Sequence, residues 1–152
     1  MREYEFRTEL WLPRQREEVF NFFSDARNLQ AITPEWLHFQ IATPEPVKIH
    51  DGAVIDYKLR VRGFPMRWRT LISAWEPPVR FVDEQAKGPY RLWIHEHTFE
   101  EQDGGTLIKD YVRYAVFMGW LVVPLFVRRD VEKIFAFRKV RLLERFGKPT
   151  AN

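Results

Sequence analysis

The sequence predicts an α+β fold in which a seven-stranded antiparallel sheet carries its helices on one face. Three observations point there. Segment after segment alternates apolar and polar residues, the period of a half-buried strand. Short Gly, Pro and Asp-Gly punctuation separates successive segments, so neighbours in sequence can pair as hairpins. Only near the end does the apolar spacing switch to that of a helix.

In order, Tyr4 to Leu12 sets Tyr4, Phe6, Thr8, Leu10 and Leu12 against Glu3, Glu5, Arg7 and Glu9, a first strand. Pro13 opens a short helix through Glu17, Glu18, Val19, Phe20, Phe22 and Phe23, with its acidic residues early. Ser24-Asp25 ends it and caps a second helix, Ala26 to Ile32, which Thr33-Pro34 breaks. A strand is expected over Leu37–Thr43, a turn region over Pro44–Gly52, and a strand over Ala53–Arg62 with Ile55, Tyr57, Leu59 and Val61 inward. Gly63-Phe64-Pro65 supplies a hairpin turn into Met66–Glu76, where Met66, Trp68, Thr70 and Ile72 share a face. Arg80–Ala86, Tyr90–Glu101 and Thr106–Val116 follow, divided by Lys87-Gly88-Pro89 and Asp103-Gly104-Gly105. From Val127 to Phe146, Val127, Val131, Ile134, Phe135, Arg138 and Leu142 recur at helical spacing, and Gly147 and Pro149 mark the end.

Composition narrows the function classes. A chain of 152 residues fits one domain, spanning 1–152, able to bury roughly 70% of its unfolded surface. Hydrophobic residues at 45% and aromatics at 16% suit a large core or a lined cavity. Absence of cysteine excludes disulfides and Cys-based zinc and agrees with a cytoplasmic location. Met1 to Phe6 has no apolar stretch of the secretory type. Ala115–Val127 is the most apolar run, yet it is about 13 residues long and broken by Gly119 and Pro124, where a span needs about 20. A net charge of +3 from 24 basic and 21 acidic residues implies no nucleic-acid partner. Neither a P-loop nor a dinucleotide fingerprint occurs, no cofactor is expected, and Ser24 and Ser73 sit in no nucleophile motif.

The order of elements resembles the helix-grip fold of the START-like, polyketide cyclase/dehydrase and lipid-transport superfamily, SRPBCC, over essentially the whole chain. Local strings resemble those of an uncharacterised, cyclase/dehydrase-like bacterial subgroup. These are Phe81-Val82-Asp83-Glu84-Gln85 before Gly88-Pro89-Tyr90, then Trp93-x-His95-x-His97-x-Phe99, Asp110-x-Val112-x-Tyr114, and Ile134-Phe135-Ala136-Phe137-Arg138. The resemblance implies a sheet curved around the C-terminal helix and a hydrophobic cavity between them, opening near the short helices and hairpin loops. It implies no particular reaction, because one scaffold can host many sites.

Within that frame the segment Trp93–Phe99 is the candidate pocket wall, since alternation puts Trp93, His95, His97 and Phe99 on one face. A two-residue turn at Asp103-Gly104 pairs residues whose numbers sum to 207: His97 with Asp110, His95 with Val112, Trp93 with Tyr114. A His97–Asp110 hydrogen bond is therefore expected. Its plain reading is a structural pair in a polar patch. Ligand recognition by His95 or His97 is one alternative, and acid/base catalysis is the other, with His97 oriented by Asp110 while Tyr114 or His95 polarises an oxygen. No metal is expected from His95-x-His97, for which no third ligand is evident.

Tyr57, Leu59, Trp68, Thr70 and Ile72 continue the inward face, and Phe135, Arg138 and Leu142 supply the helix side. Arg138 either snorkels outward or pairs with Asp83 or Asp110, a structural pair being favoured over recognition of a ligand anion. Lys58, Arg60, Arg62, Arg67 and Arg69 read as a solvated outer strip. Residues 118–126 either seat the last helix or form an interaction patch. The leading expectation is a small hydrophobic ligand, lipid-like or polyketide-like; a cyclase or dehydratase and a protein-interaction module are the alternatives. Either a monomer or a homodimer fits the sequence.

Overall fold

In the computed structural model, residues 1–44 and 47–148 are described. Two positions of the expected 44–52 turn, and Pro149, lie outside them. The elements run β1 (Tyr4–Leu12), α1 (Arg16–Phe22), α2 (Ala26–Ala31), β2 (Gln40–Ile41), β3 (Val54–Val61), β4 (Phe64–Glu76), β5 (Arg80–Lys87), β6 (Leu92–Gln102), β7 (Gly105–Ala115), α3 (Gly119–Val122) and α4 (Arg128–Phe146). The seven strands form one antiparallel sheet in the order β1-β7-β6-β5-β4-β3-β2. This is the helix-grip arrangement.

Turn chemistry sets the register. Asp103 and Gly104 take φ of 51° and 75°, the two-residue turn whose twist suits a hairpin, and β6 pairs β7 from Gln102↔Gly105 to Leu92↔Ala115. The β3–β4 turn is Arg62-Gly63, both at positive φ, so β4 begins at Phe64, earlier than the sequence suggested. A register shift between Ile72 and Ala74 lets Ile72 and Trp75, an odd step apart, both face the core. β6 begins at Leu92 because Gln85 holds Tyr90 outside the ladder, donating to its carbonyl at 2.7 Å and accepting from its N–H at 2.9 Å.

The strand expected over Leu37–Thr43 contracts to Gln40–Ile41. Glu35–Leu37 instead makes a single 3-10 turn after Pro34, and His38 at φ 47° reverses the chain. Beyond Ile41, the Thr43 hydroxyl accepts from the Asp56 N–H at 2.8 Å and ends the ladder. Asp25 caps α2 as expected, accepting from the Arg27 N–H at 3.0 Å.

α4 lays Val131, Phe135, Arg138, Leu142 and Phe146 against the sheet, whereas Val127 and Ile134 are half-buried at its margin. Val123–Val127 joins α3 to α4 as a widened π-helical stretch containing Pro124, which has no N–H to continue the ladder. Packing fills the two ends of the space under α4. Phe20, Phe23, Phe99, Ile108 and Phe146 occupy the end near α1. Val112, Tyr114, Val123, Val131 and Phe135 occupy the end near α3. The middle is open.

Candidate functional site: a cavity with a crossed histidine–aspartate box

A cavity of about 710 Å³ lies between the sheet and α4, within the ~300–1,000 Å³ of small-molecule sites. Of the residues expected to line it, Tyr57, Leu59, Trp68, Thr70, Ile72, Trp93, His95, His97, Phe135 and Arg138 do so. Phe99, Val112, Tyr114 and Asp110 do not. They share the inward face, but Phe20 and Phe23 cover Phe99, with ring centroids 5.0 and 5.4 Å away. Val112 and Tyr114 are packed against Val123 and Val131. Leu142 likewise belongs to the core near α1. Sequence reasoning missed Phe23, Leu29, Trp36, Phe39, Phe81 and Tyr90 on the lining. The two short helices and the loop after them bring in the first four, which strand alternation cannot see.

At the polar end, the register expected for β6 and β7 holds, with His97 opposite Asp110. The hydrogen bonds do not follow it. His95 Nε2 lies 2.7 Å from Asp110 Oδ1, while His97 Nε2 lies 2.5 Å from Asp83 Oδ2. The distance from His97 Nδ1 to Asp110 is 3.4 Å. Asp83 sits directly opposite His95 on β5, so each imidazole bonds the carboxylate diagonal to it. Ring stacking accounts for the crossing. His97 lies flat between Phe81 and His95, with centroids at 4.0 and 3.6 Å, so its nitrogens point along the ring plane toward diagonal neighbours.

The charges follow from these contacts. Burial pushes both carboxylic acids up, but for Asp83 the His95 charge, the His97 hydrogen bond and Arg138 outweigh it and hold the group below its ordinary value. Asp110 is also held low, by its bond to His95 and by the His95 and Arg138 charges acting against burial. His97 moves the other way. Burial, reinforced by the His95 charge, lowers it to about 4 against the pull of Asp83. It is therefore neutral at pH 7, with Nε2–H donating to Asp83 and the buried Nδ1 left without a hydrogen-bond partner among the described residues. Burial likewise raises the Tyr57 phenol, with the Asp83 charge adding to it, which keeps that hydroxyl protonated on the lining.

Asp83 supplies the third ligand that the sequence did not reveal, since Asp83, His95 and His97 offer ligand atoms within 4.8 Å of one another. In the present arrangement the Nε2 atoms of both rings are committed to carboxylates. Arg138 corrects another expectation. It neither snorkels outward nor pairs with Asp83 or Asp110 among the described residues, and only 9% of it is exposed. Its guanidinium lies 5.4 Å from the Phe23 ring centroid and 5.6 Å from that of Phe135.

At the rim, Arg62 bonds Asp130 through two nitrogens at 3.1 and 2.9 Å, joining the β3–β4 turn to the first turn of α4. That contact takes Arg62 out of the expected outer strip. Arg69, also in the strip, pairs with Asp56 at 2.9 Å. In the 118–126 segment Gly119 and Val123 are buried, while Trp120, Leu125 and Phe126 are exposed, as is Phe117 beside it.

Comparison with known proteins agrees with this architecture. Protein TTHA0849 of Thermus thermophilus is 19% identical, with 93% of this chain and 99% of that one covered and a TM-score of 0.69. Protein CV1439 of Chromobacterium violaceum is 12% identical, with 95% and 99% covered and a TM-score of 0.75. Major latex-like protein 151 of Panax ginseng is 10% identical, with 95% and 97% covered and a TM-score of 0.68. At such identities the likeness shows the fold alone. A search of curated proteins finds no match. Residues 12–137 match the family described as polyketide cyclase / dehydrase and lipid transport, and the chain belongs to that family.

Proposed function

We propose that this chain binds a small hydrophobic or aromatic metabolite, lipid-like or polyketide-like, in the cavity between the sheet and α4. The observation that carries the reading is the cavity itself: about 710 Å³, walled largely by aromatic and aliphatic side chains, with the half-buried Asp83 and the buried His95 and His97 among its polar groups. The family description, which names lipid transport beside cyclase/dehydrase activity, supports it. Native mass spectrometry of protein purified from its source tests it together with Leu59→Trp, which places an indole in the cavity. A co-purified small molecule of matching size, lost in Leu59→Trp, is the expected result. A ligand-free protein that also shows no thermal shift with a broad panel of apolar metabolites would overturn the reading.

A second reading, cyclase or dehydratase chemistry, is favoured by one observation: two imidazoles, each hydrogen-bonded to a carboxylate, lie on the lining. The roles shift from those read in the sequence. Asp110 and Tyr114 lie behind the wall, so the carboxylate that orients His97 is Asp83, and His97 serves as proton acceptor only once its ring turns, because its Nδ1 is buried 3.4 Å from Asp110. Under this reading, His97→Gln abolishes turnover of a carbonyl-bearing polyketide-like substrate while binding persists. Equal turnover by the variant would exclude it.

A further inference from the structure

We propose that Arg138 is an anion-binding residue of the cavity, and that the ligand carries a carboxylate at one end of an apolar body. The inference rests on the reading of the cavity as a ligand site and names the chemical class of its occupant.

An arginine cannot shed its proton inside a protein, so a buried guanidinium needs an acceptor or a counter-charge in contact with it. Arg138 is 9% exposed and lines the cavity. Its Nε is buried with no hydrogen-bond partner, and none of its donors reaches an acceptor among the described residues. Other arginines in the same chain behave differently: Arg62, Arg69 and Arg80 each hold a carboxylate at 2.9 Å or closer. The acids facing Arg138 do not serve it, because Asp83 and Asp110 are bonded to His97 and His95 and stand beyond ion-pair distance. Their charges and that of Arg138 sense one another through the cavity, which is why both are held low partly by Arg138.

Phe23 and Phe135 take the guanidinium between two aromatic rings. That contact compensates some of the lost hydration. It supplies no acceptor to the N–H groups. A planar carboxylate does, and the fork of donors matches it in geometry. Elsewhere the lining includes the apolar side chains of Leu59, Trp68, Ile72 and Trp93, which suit an apolar body. Lys133, five residues nearer the start of α4, also lines the cavity but is exposed to solvent, and with Asp25, Asp83 and Asp130 on the same lining the buried guanidinium of Arg138 is the group that calls for an anion.

The test uses matched pairs that differ only in the head group, dodecanoate with 1-dodecanol and 2-naphthoate with 2-naphthol. Each is titrated calorimetrically at pH 7 into the full chain, Arg138→Lys and Arg138→Gln. The wild type is expected to bind at least one carboxylate about 10-fold or more tightly than its alcohol. Arg138→Gln erases that preference while alcohol binding stays within about threefold, and Arg138→Lys keeps part of it. If Arg138→Gln does not fold, the wild-type preference and its reduction in Arg138→Lys decide the matter. Equal binding of acid and alcohol by the wild type, or an undiminished preference in either variant, overturns the proposal and leaves the cavity reading standing. Failure of all four compounds to bind counts against both.

Discussion

Lowering the pH from about 7 to 4 tests the polar end of the cavity through His97. Its folded value of about 4 lies below the ordinary 6.5. Across that interval the unfolded chain takes up a proton at this position that the folded chain refuses. Stability is thus fully present above pH 6.5 and declines as the pH falls toward 4. Each tenfold change in proton affinity is worth about 1.4 kcal/mol, so the loss approaches about 3 kcal/mol. Asp83 and Asp110 enter only at the acid end of the interval. Their folded values lie below 3.8, so what they contribute is present above it and is lost at lower pH. Urea unfolding at constant ionic strength, from about pH 7.5 to 4, gives the curve for the wild type and for His97→Gln. At pH 7 the variant should start about 1–2 kcal/mol lower, having lost the Asp83 contact. Its stability should then fall less steeply, by the amount assigned to His97. Parallel curves for the two proteins would refute the account of a buried, neutral imidazole.

Asp110→Ala leaves His95 Nε2 unpaired in the interior and should cost about 2–4 kcal/mol in denaturant unfolding, with little change in affinity for any apolar ligand because Asp110 is not on the lining. Gly105→Ala should lose about 1–3 kcal/mol in the same assay, since its Cβ would collide with the Leu12 carbonyl and approach the Trp11 ring to 2.7 Å. Trp120→Ser removes an indole that is 65% exposed. It should leave stability within about 0.5 kcal/mol and give earlier elution from a hydrophobic-interaction column.

The hairpin from Leu92 to Ala115 was readable because Asp-Gly dictates a turn of fixed length, and from a fixed turn the pairing of every residue follows. That arithmetic locates Cα atoms, not ring nitrogens. It placed Asp110 opposite His97 correctly and still assigned the hydrogen bond wrongly, because stacking against Phe81 turned the imidazole toward Asp83. Asp83 itself was out of reach. β5 and β6 are joined by a longer connection, residues 88–91, which fixes no register by length. The division between cavity and core was equally hidden. Phe99 and His97 share one strand face, yet only the residue that α1 covers is lost to the core, and where a helix docks is not written in the alternation of a strand. Arg138 was identified as anomalous from helical spacing alone, but its lack of a partner needed coordinates.

The crossed bonds among Asp83, His95, His97 and Asp110 bear on how such a pocket can diverge. Two bonds span three strands, so exchanging any one of the four residues leaves its mate unpaired in the interior, at a cost of about 1–3 kcal/mol from a total that is typically only about 5–15. Single steps away from this quartet are therefore handicapped, and viable routes change a histidine and its diagonal aspartate together. Leu59 and Ile72 carry no such obligation and can vary one at a time. Ligand shape is open to gradual adjustment, while the chemistry of the polar end moves in paired jumps.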